Sequence, residues 1–291
     1  MTTIFHHNDL DGRAAAAIVY HGIKNTLPKG EKVKFQELNY KKKINYRSLN
    51  ENEVAYIVDY SFTEDTVKQL SKIVEKSKNV VWLDHHKSSK DLIKKYPDLF
   101  DKLKDKGLSH NIKMTESGAM LAWKKFFKKA KVEIPNWVIY IDDYDRWVHH
   151  YDDSENFRFG MDMWDQEPTG KTFEYLIEDP SYADEIIFNG AIAVEYRNQC
   201  NKYNLSKAYE AMLDGKKCLV MNTNAGNSSV FCDKINDYDF VVVWYYSDKT
   251  YYYSLYSHSK GANCEEIARK FGGGGHVHAA GFTSKEQVLE D

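Results

Sequence analysis

Thr3-Ile4-Phe5-His6-His7-Asn8-Asp9-Leu10-Asp11-Gly12-Arg13-Ala14-Ala15 runs from an apolar segment through an acidic turn into an alanine-rich one, and its reading decides the N-terminal fold. Residues 3–7 suit a strand and 13–23 a helix. The alternation then repeats, with strands predicted at 33–39, 54–60 and 80–84 and helices at 64–77, 117–130 and 135–142. Strands alternating with helical patterns mark βαβ units and a parallel sheet, because parallel neighbours need a crossover that a helix supplies. An α/β lobe is expected over residues 1–180.

Further along, a helical pattern spans 182–212, with Ile186, Ile187, Ala191, Val194, Tyr196, Leu205 and Tyr209 among its apolar positions. It reads as a linker helix over 181–212. Beyond it come a strand at 217–221, a helix capped by Ser228 or Ser229, strands at 240–245 and 251–256, a helix at 264–271 and a glycine-rich turn. These elements make a smaller α/β lobe over 213–291. The lysine-rich stretches at 41–43 and 124–131 read as solvated loop and helix faces.

Composition narrows the function. A chain of 291 residues with 42% hydrophobic and 29% charged residues is of ordinary globular type. No stretch approaches the roughly 18 consecutive apolar residues of a membrane span, so no membrane association is expected. The first seven residues lack a basic stretch followed by an apolar run, which points to the cytoplasm. A net charge of −3 lacks the positive field that tracks long nucleic acid and favours small anionic substrates. Cys200, Cys218, Cys232 and Cys264 have no CxxC spacing, which argues against a zinc knuckle or disulfide framework and for buried thiols.

Three predicted strands end in side chains able to hold metal: His7, Asp9 and Asp11 after the first, Asp59 after the third, and Asp84-His85-His86 after the fourth. In an open parallel sheet ligands bind outside the carboxyl ends of the strands, so these groups converge there. Carboxylate with imidazole favours manganese, iron or zinc, and a carboxylate-rich set pulls towards manganese or magnesium. Helix capping is the competing role for an aspartate between strand and helix. Ser61-Phe62-Thr63-Glu64 offers a capping box after Asp59, and Ser88-Ser89 can cap the helix after Asp84, so neither aspartate is needed as a cap. Asp11, directly before Gly12, keeps both readings. Asp142-Asp143-Tyr144-Asp145-Arg146-Trp147 ends an apolar helical stretch, where negative charge opposes the macrodipole and calls for a cation. A metal meets that demand, and so does pairing of Asp145 with Arg146 or a nearby lysine.

Together these segments resemble the DHH phosphoesterase superfamily, named for the triplet that stands here as Asp84-His85-His86. His7-Asn8-Asp9-Leu10-Asp11-Gly12 is similar to its first motif, Val58-Asp59 to its second, Trp82-Leu83-Asp84-His85-His86 to its third, and Asp143-Tyr144-Asp145-Arg146-Trp147 to a fourth. Near the C-terminus, Gly272-Gly273-Gly274-Gly275-His276-Val277-His278-Ala279-Ala280-Gly281-Phe282 resembles the signature of the associated DHHA1 domain, as in the nano-RNase and RecJ-like branch. The resemblance implies two manganese ions, with magnesium as the alternative. Their ligands would be His7, Asp9, Asp11, Asp59, His85 and Asp143, with Asp59 bridging. Asp84 and His86 would orient the ligands or touch the phosphate and, with Asp59, form the catalytic set. Such a metal pair clamps a phosphoryl oxygen and lowers the pKa of an attacking water.

Read alone, Gly272, Gly273, Gly274 and Gly275 after a helix are a C-cap and turn. Val277-His278-Ala279-Ala280 can start a new helix, before which glycines let backbone N–H groups approach an anion. The DHHA1 resemblance implies that Gly274, Gly275 and His276 contact a nucleotide phosphate or base, with His278 and Tyr256 beside them. Tyr256 marks a departure: Ser254-Leu255-Tyr256-Ser257 stands where many DHHA1 domains carry Ser-Leu-Arg-Ser. Tyrosine cannot grip phosphate bidentately as arginine does, but it can stack on a base.

The function expected is a manganese-dependent phosphoesterase acting on a short nucleotide or oligonucleotide substrate. Oligoribonucleotides, linear or cyclic dinucleotides and 3′-phosphoadenosine nucleotides all fit, and a homodimer is allowed. A RecJ-like single-strand exonuclease is the first alternative, although the added oligonucleotide-binding barrel of such enzymes has no room here. A non-catalytic nucleotide-binding module is the second, and it would have lost ligands.

Overall fold

Five parallel strands form the sheet of the N-terminal unit in the computed structural model, which describes residues 2–40, 44–46, 49–127, 133–224 and 228–290. The lysines at 41–43, and residues 128–131 of the second lysine-rich stretch and the predicted helix, lie outside the described residues. The chain divides into two compact units, Met1–Val194 and Glu195–Asp291.

In the first unit β1 (Thr2–His7) leads to α1 (Leu10–Ile23), β2 (Val33–Leu38) and β3 (Val54–Val58). There follow α2 (Val67–Glu75), β4 (Asn79–Asp84), α3 (Lys87–Lys95), α4 (Pro97–Asp105) and β5 (Leu108–Ile112). The order β2-β1-β3-β4-β5 places β1 between β2 and β3, so the connections reverse direction at the β1/β3 boundary. That boundary is the switch point at which open α/β sheets leave a crevice. Helices α5 (Gly118–Phe126), α6 (Asn136–Asp145), α7 (Asp152–Met161) and α8 (Lys171–Glu178) complete the unit.

Side-chain alternation along β1 serves both faces of the sheet. Ile4 packs into one core with the alanines of α1, Trp123 and Trp137, and Phe5 into another with Leu70, Trp82 and Phe100. The four alanines Ala14–Ala17 are all fully buried and let α1 lie close to α5. Ala is the best helix former and carries little side-chain volume, so helix formation and close approach coincide here.

Several expectations change. A helix after Asp84 is present as α3, whereas β5 and helices α4, α7 and α8 have no counterpart in the sequence reading; β5 has apolar residues only at its ends and takes its order from pairing with β4. The serine pair 88–89 does not cap a helix: α3 begins at Lys87, and Ser89 turns inward to donate to Asp84. Helix α2 begins at Val67, and the segment offered as its capping box lies ahead of it without forming one.

Helix α9 (Ala183–Leu205) contains the division between the units. It ends before the predicted limit of 212, because 209–213 is a strand. This β6 (Tyr209–Leu213) forms a hairpin with β7 (Lys216–Asn222) through Asp214-Gly215, both left-handed with φ of 56° and 70°. Such a two-residue turn matches the twist of antiparallel strands. β8 (Val241–Ser247), β9 (Thr250–Tyr256), α10 (Cys264–Lys270), β10 (Gly274–His276) and β11 (Ala279–Ser284) complete a six-stranded mixed sheet of order β10-β11-β9-β8-β7-β6. In place of the helix predicted after Ser228, residues Ser228–Asp237 form 3₁₀ turns broken at Cys232 (φ 48°). Cys218 and Cys264 are buried as expected, whereas Cys232 is exposed and Cys200 half-buried. Among the described residues no helix is long and apolar enough to cross a membrane.

Candidate metal centre

β1, β3 and β4 are adjacent, and the chain leaving their carboxyl ends carries His7, Asp9, Asp11, Asp59, Asp84, His85 and His86. With Asp145 from the end of α6, donor atoms of these residues form three overlapping groups, each within 4.8 Å: His7, Asp9 and Asp59; Asp11, His85 and Asp145; and Asp59, His85 and His86. His7 Nδ1 lies 2.5 Å from Asp9 Oδ2 and 3.9 Å from Asp59 Oδ2. His85 Nε2 lies 3.1 Å from Asp59 Oδ1, 3.3 Å from Asp145 Oδ2 and 3.8 Å from Asp11 Oδ2.

Asp59 is the centre of this arrangement. It is 1% exposed, its backbone is left-handed (φ 53°), and neither carboxylate oxygen has a hydrogen-bond partner among the described residues. Burial, followed by the charges of Asp11, Asp9, Asp145 and Asp84, raises its pKa well above the usual carboxylate range. Asp145 Oδ2 is likewise buried without a hydrogen-bond partner among the described residues. Burial and the charges of Asp11, Asp9 and Asp142, only partly offset by Arg146, push the Asp145 carboxyl up to about 9. A buried polar atom left unsatisfied is costly, and buried charges in proteins are paired or coordinate metals. The residues therefore fit a divalent cation chemically: several oxygens and three imidazole rings converge, and the most buried oxygens have no donor among the described residues.

Helix ends set the remaining geometry. Asp9 caps α1, accepting from Gly12 N at 2.9 Å. The cap reading for Asp11 thus fails at α1, and Asp11 instead accepts from Gly118 N (2.6 Å) and Ala119 N (2.8 Å) at the start of α5. Gly118 is required by contact: an added Cβ would stand 2.6 Å from Asp59 Cβ and 2.9 Å from Asp11 Oδ2. Asp84 is fully buried, accepting from His86 Nδ1 at 2.7 Å and from the Ser89 hydroxyl. Burial opposes charge on His86, but the Asp84 bond and carboxylate outweigh it and raise its pKa.

The fourth motif requires a correction. Asp143 is not gathered with the other donors: its carboxylate accepts from His150 N (2.9 Å), Tyr151 N (3.3 Å) and Ser154 Oγ (2.6 Å), which organises the loop into α7. Asp145 stands beside His85 in its place. Asp142 is also structural, accepting from Ser117 N at 2.6 Å and pairing with Arg146 at 2.8 Å, so Arg146 serves Asp142 in the fold. The sequence held a signal for Asp145. Trp137 and Ile141 are buried one turn apart, and the next position on that stripe is 145.

In the second unit the predicted substrate-binding residues surround one hairpin. Gly274, Gly275 and His276 form β10, and Gly275 (φ 148°) has its backbone so near Ala280 that a Cβ would lie 2.5 Å from Ala280 Cα. The helix expected at 277–280 is absent because Ala279 and Ala280 pair with Tyr256 and Leu255 in the sheet. The helix-N-terminus anion site expected there is withdrawn with it. His276 is exposed, and His278 Nδ1 lies 3.0 Å from the Ser257 hydroxyl. Gly272 N and Gly273 N donate to Arg269 O and Ala268 O, the C-cap read from the sequence.

The family model described as DHH family, N-terminal domain, matches residues 1–141, so this stretch of the chain, a little under half of it, is similar to that domain. An uncharacterized protein of Acanthamoeba polyphaga mimivirus is 26% identical over 301 aligned positions, covering 96% of this chain and 66% of that protein. The chain thus spans slightly less than two thirds of the curated relative it matches. Among solved structures, the pGpG-specific phosphodiesterase PggH of Vibrio cholerae superposes with a TM-score of 0.55 at 13% identity, covering 97% of this chain and 92% of that one. Exonuclease RecJ bound to manganese gives 0.50 at 13% identity, with 97% and 85% covered. At these identities the two structures are alike in fold.

Proposed function

We propose that this protein is a manganese-dependent phosphoesterase, with magnesium as a substitute, that hydrolyses short nucleotides. The observation carrying this reading is Asp59, whose buried and unpartnered oxygens stand between two groups of donors. His7, Asp9 and Asp59 would hold one cation; Asp11, Asp59, His85 and Asp145 would hold the other. Bound there, such a pair supplies Lewis acidity towards a phosphoryl oxygen and lowers the pKa of an attacking water. Asp84 fixes the ring of His86 through Nδ1, leaving Nε2 to donate to a phosphate oxygen, and Ser89 holds Asp84 in turn. Asp11 is anchored by two backbone N–H groups, which places a carboxylate without the entropy of a free side chain.

The names of the relatives support the finer choices. RecJ was solved with manganese, and PggH acts on a dinucleotide. We assign the hydrolytic chemistry to the first unit and one set of nucleotide contacts to the second, through Gly274, Gly275, His276 and Tyr256, with His278 oriented by Ser257. The test is hydrolysis by the purified chain with manganese of 5′-phosphorylated dinucleotides, cyclic dinucleotides, adenosine 3′,5′-bisphosphate and labelled single-stranded DNA. Turnover of the short substrates well above that of the DNA supports the proposal. Preference for the DNA would establish the exonuclease, and metal binding without any turnover would establish a non-catalytic module.

A further inference from the structure

Beside the acidic cluster the first unit has a pocket of about 140 Å³. Asp9, Asp11 and Asp145 line it, but so do Leu10, Tyr140, Tyr144, Trp147 and Phe157. A phosphate group needs cations and hydrogen-bond donors and gains nothing from aromatic walls. A ring-shaped ligand does, and an apolar cavity of about 150 Å³ is large enough to admit benzene. We propose that this pocket is a nucleobase subsite, in which Trp147 and Tyr144 stack on one base of the substrate while its phosphate lies at the carboxylate cluster. The proposal rests on the function given above and specifies its substrate class: a nucleotide, recognised by its base within the first unit, as opposed to an inorganic phosphate chain.

Trp147 carries the argument. It is 73% exposed, whereas Trp82, Trp123 and Trp137 are buried and Trp164 and Trp244 half-buried. An indole left in water is nevertheless held in place. Its backbone is left-handed (φ 55°), as is that of His149 (φ 50°). For a bulky side chain this conformation is unfavourable and persists only where the surroundings impose it. They do so through Asp143, whose carbonyl accepts from Val148 N at 2.9 Å while its carboxylate accepts from His150 N and Tyr151 N. Tyr144 stacks near the indole at 6.4 Å and 26°, and His149 meets it edge-on at 4.8 Å. Asp143 therefore has a role in the site without being gathered among the metal donors: it shapes the loop that presents Trp147. Arg158, on the same pocket and paired with Asp162 at 2.5 Å, gives the wall one cation.

The experiment is titration of the full chain with adenosine 5′-monophosphate, and separately with inorganic phosphate, read by calorimetry and tryptophan fluorescence. It is repeated on Trp147→Leu and Trp147→Phe. The expected result is quenching by the nucleotide in the parent protein and weaker nucleotide binding in Trp147→Leu by roughly 5- to 150-fold, the range of one base-aromatic stack. Trp147→Phe should restore most of it, and phosphate affinity should be equal in all three. Equal nucleotide affinity in parent and Trp147→Leu, or no nucleotide binding by the parent, overturns the subsite. Selective loss of binding without hydrolysis of any nucleotide would overturn the proposed activity and leave the subsite standing.

Discussion

Asp59→Asn separates what the site does for stability from what it does for function. Asparagine has nearly the same shape and tolerates the left-handed backbone (φ 53°), which alanine would strain by about 1–2 kcal/mol. In the metal-free protein Asp59 is buried beside Asp9, Asp11, Asp84 and Asp145 without a hydrogen-bond donor among the described residues, and its pKa is raised. A group raised on folding contributes stability that is fully present below its unfolded pKa, near 4, and is lost as pH rises through the folded value. Metal-free Asp59→Asn should therefore match the parent near pH 4 and exceed it at pH 8. The gain should be about 1–3 kcal/mol, the usual cost of an unsatisfied buried polar group. At roughly 2–4 °C per kcal/mol for a unit of this size, that is roughly 2–12 °C in Tm. Manganese should reverse the order. At about one hundred times Kd a ligand adds about 2.7 kcal/mol, or roughly 5–11 °C, to the parent and little to the variant. Calorimetric scans with chelator and with manganese at the two pH values measure all four quantities. A metal-free variant less stable than the parent at pH 8, together with an undiminished manganese shift, would refute the reasoning.

Exchanging the two aspartates of the fourth motif should give opposite defects. Asp145→Asn should weaken manganese binding at least tenfold in calorimetry with Tm maintained, whereas Asp143→Ala should lower Tm by removing three hydrogen bonds and leave a measurable manganese shift. Manganese affinity should rise from pH 6 to pH 9 with release of protons, because Asp59 and Asp145, the latter raised to about 9, must lose theirs to bind a cation; proton counting in buffers of different ionisation enthalpy checks this. Ser89→Ala should reduce kcat roughly 10- to 100-fold with little change in manganese affinity, since it loosens Asp84 and so His86, not the donors. Gly118→Ala should cost about 1–3 kcal/mol in denaturant unfolding, because its methyl would overlap Asp59 and Asp11.

Much of the first unit was legible because strand ends and ligands coincide. Asp59 and Asp84 follow apolar runs directly, and a parallel sheet brings such ends together whatever the loops between them do. Asp143 was harder to place than Asp59. A cluster of aspartates on one helix end points in several directions, and only the phase of Trp137 and Ile141 distinguishes position 145. β5 had little apolar pattern of its own, so its order depends on pairing with β4. At the C-terminal hairpin, alanine's helix preference was overridden by pairing with β9, a tertiary effect that no local pattern records. The Asp214-Gly215 turn was a readable hairpin signal that the long helical pattern before it concealed.

The claim underlying the function is that Asp59 lies between two cations. Anomalous diffraction at the manganese edge from crystals grown with manganese tests it directly. The account predicts two peaks in the first unit, one bounded by His7 and Asp9, the other by Asp11, His85 and Asp145, with Asp59 contacting both. No peak at this cluster, or peaks that leave Asp59 uncoordinated, would contradict it.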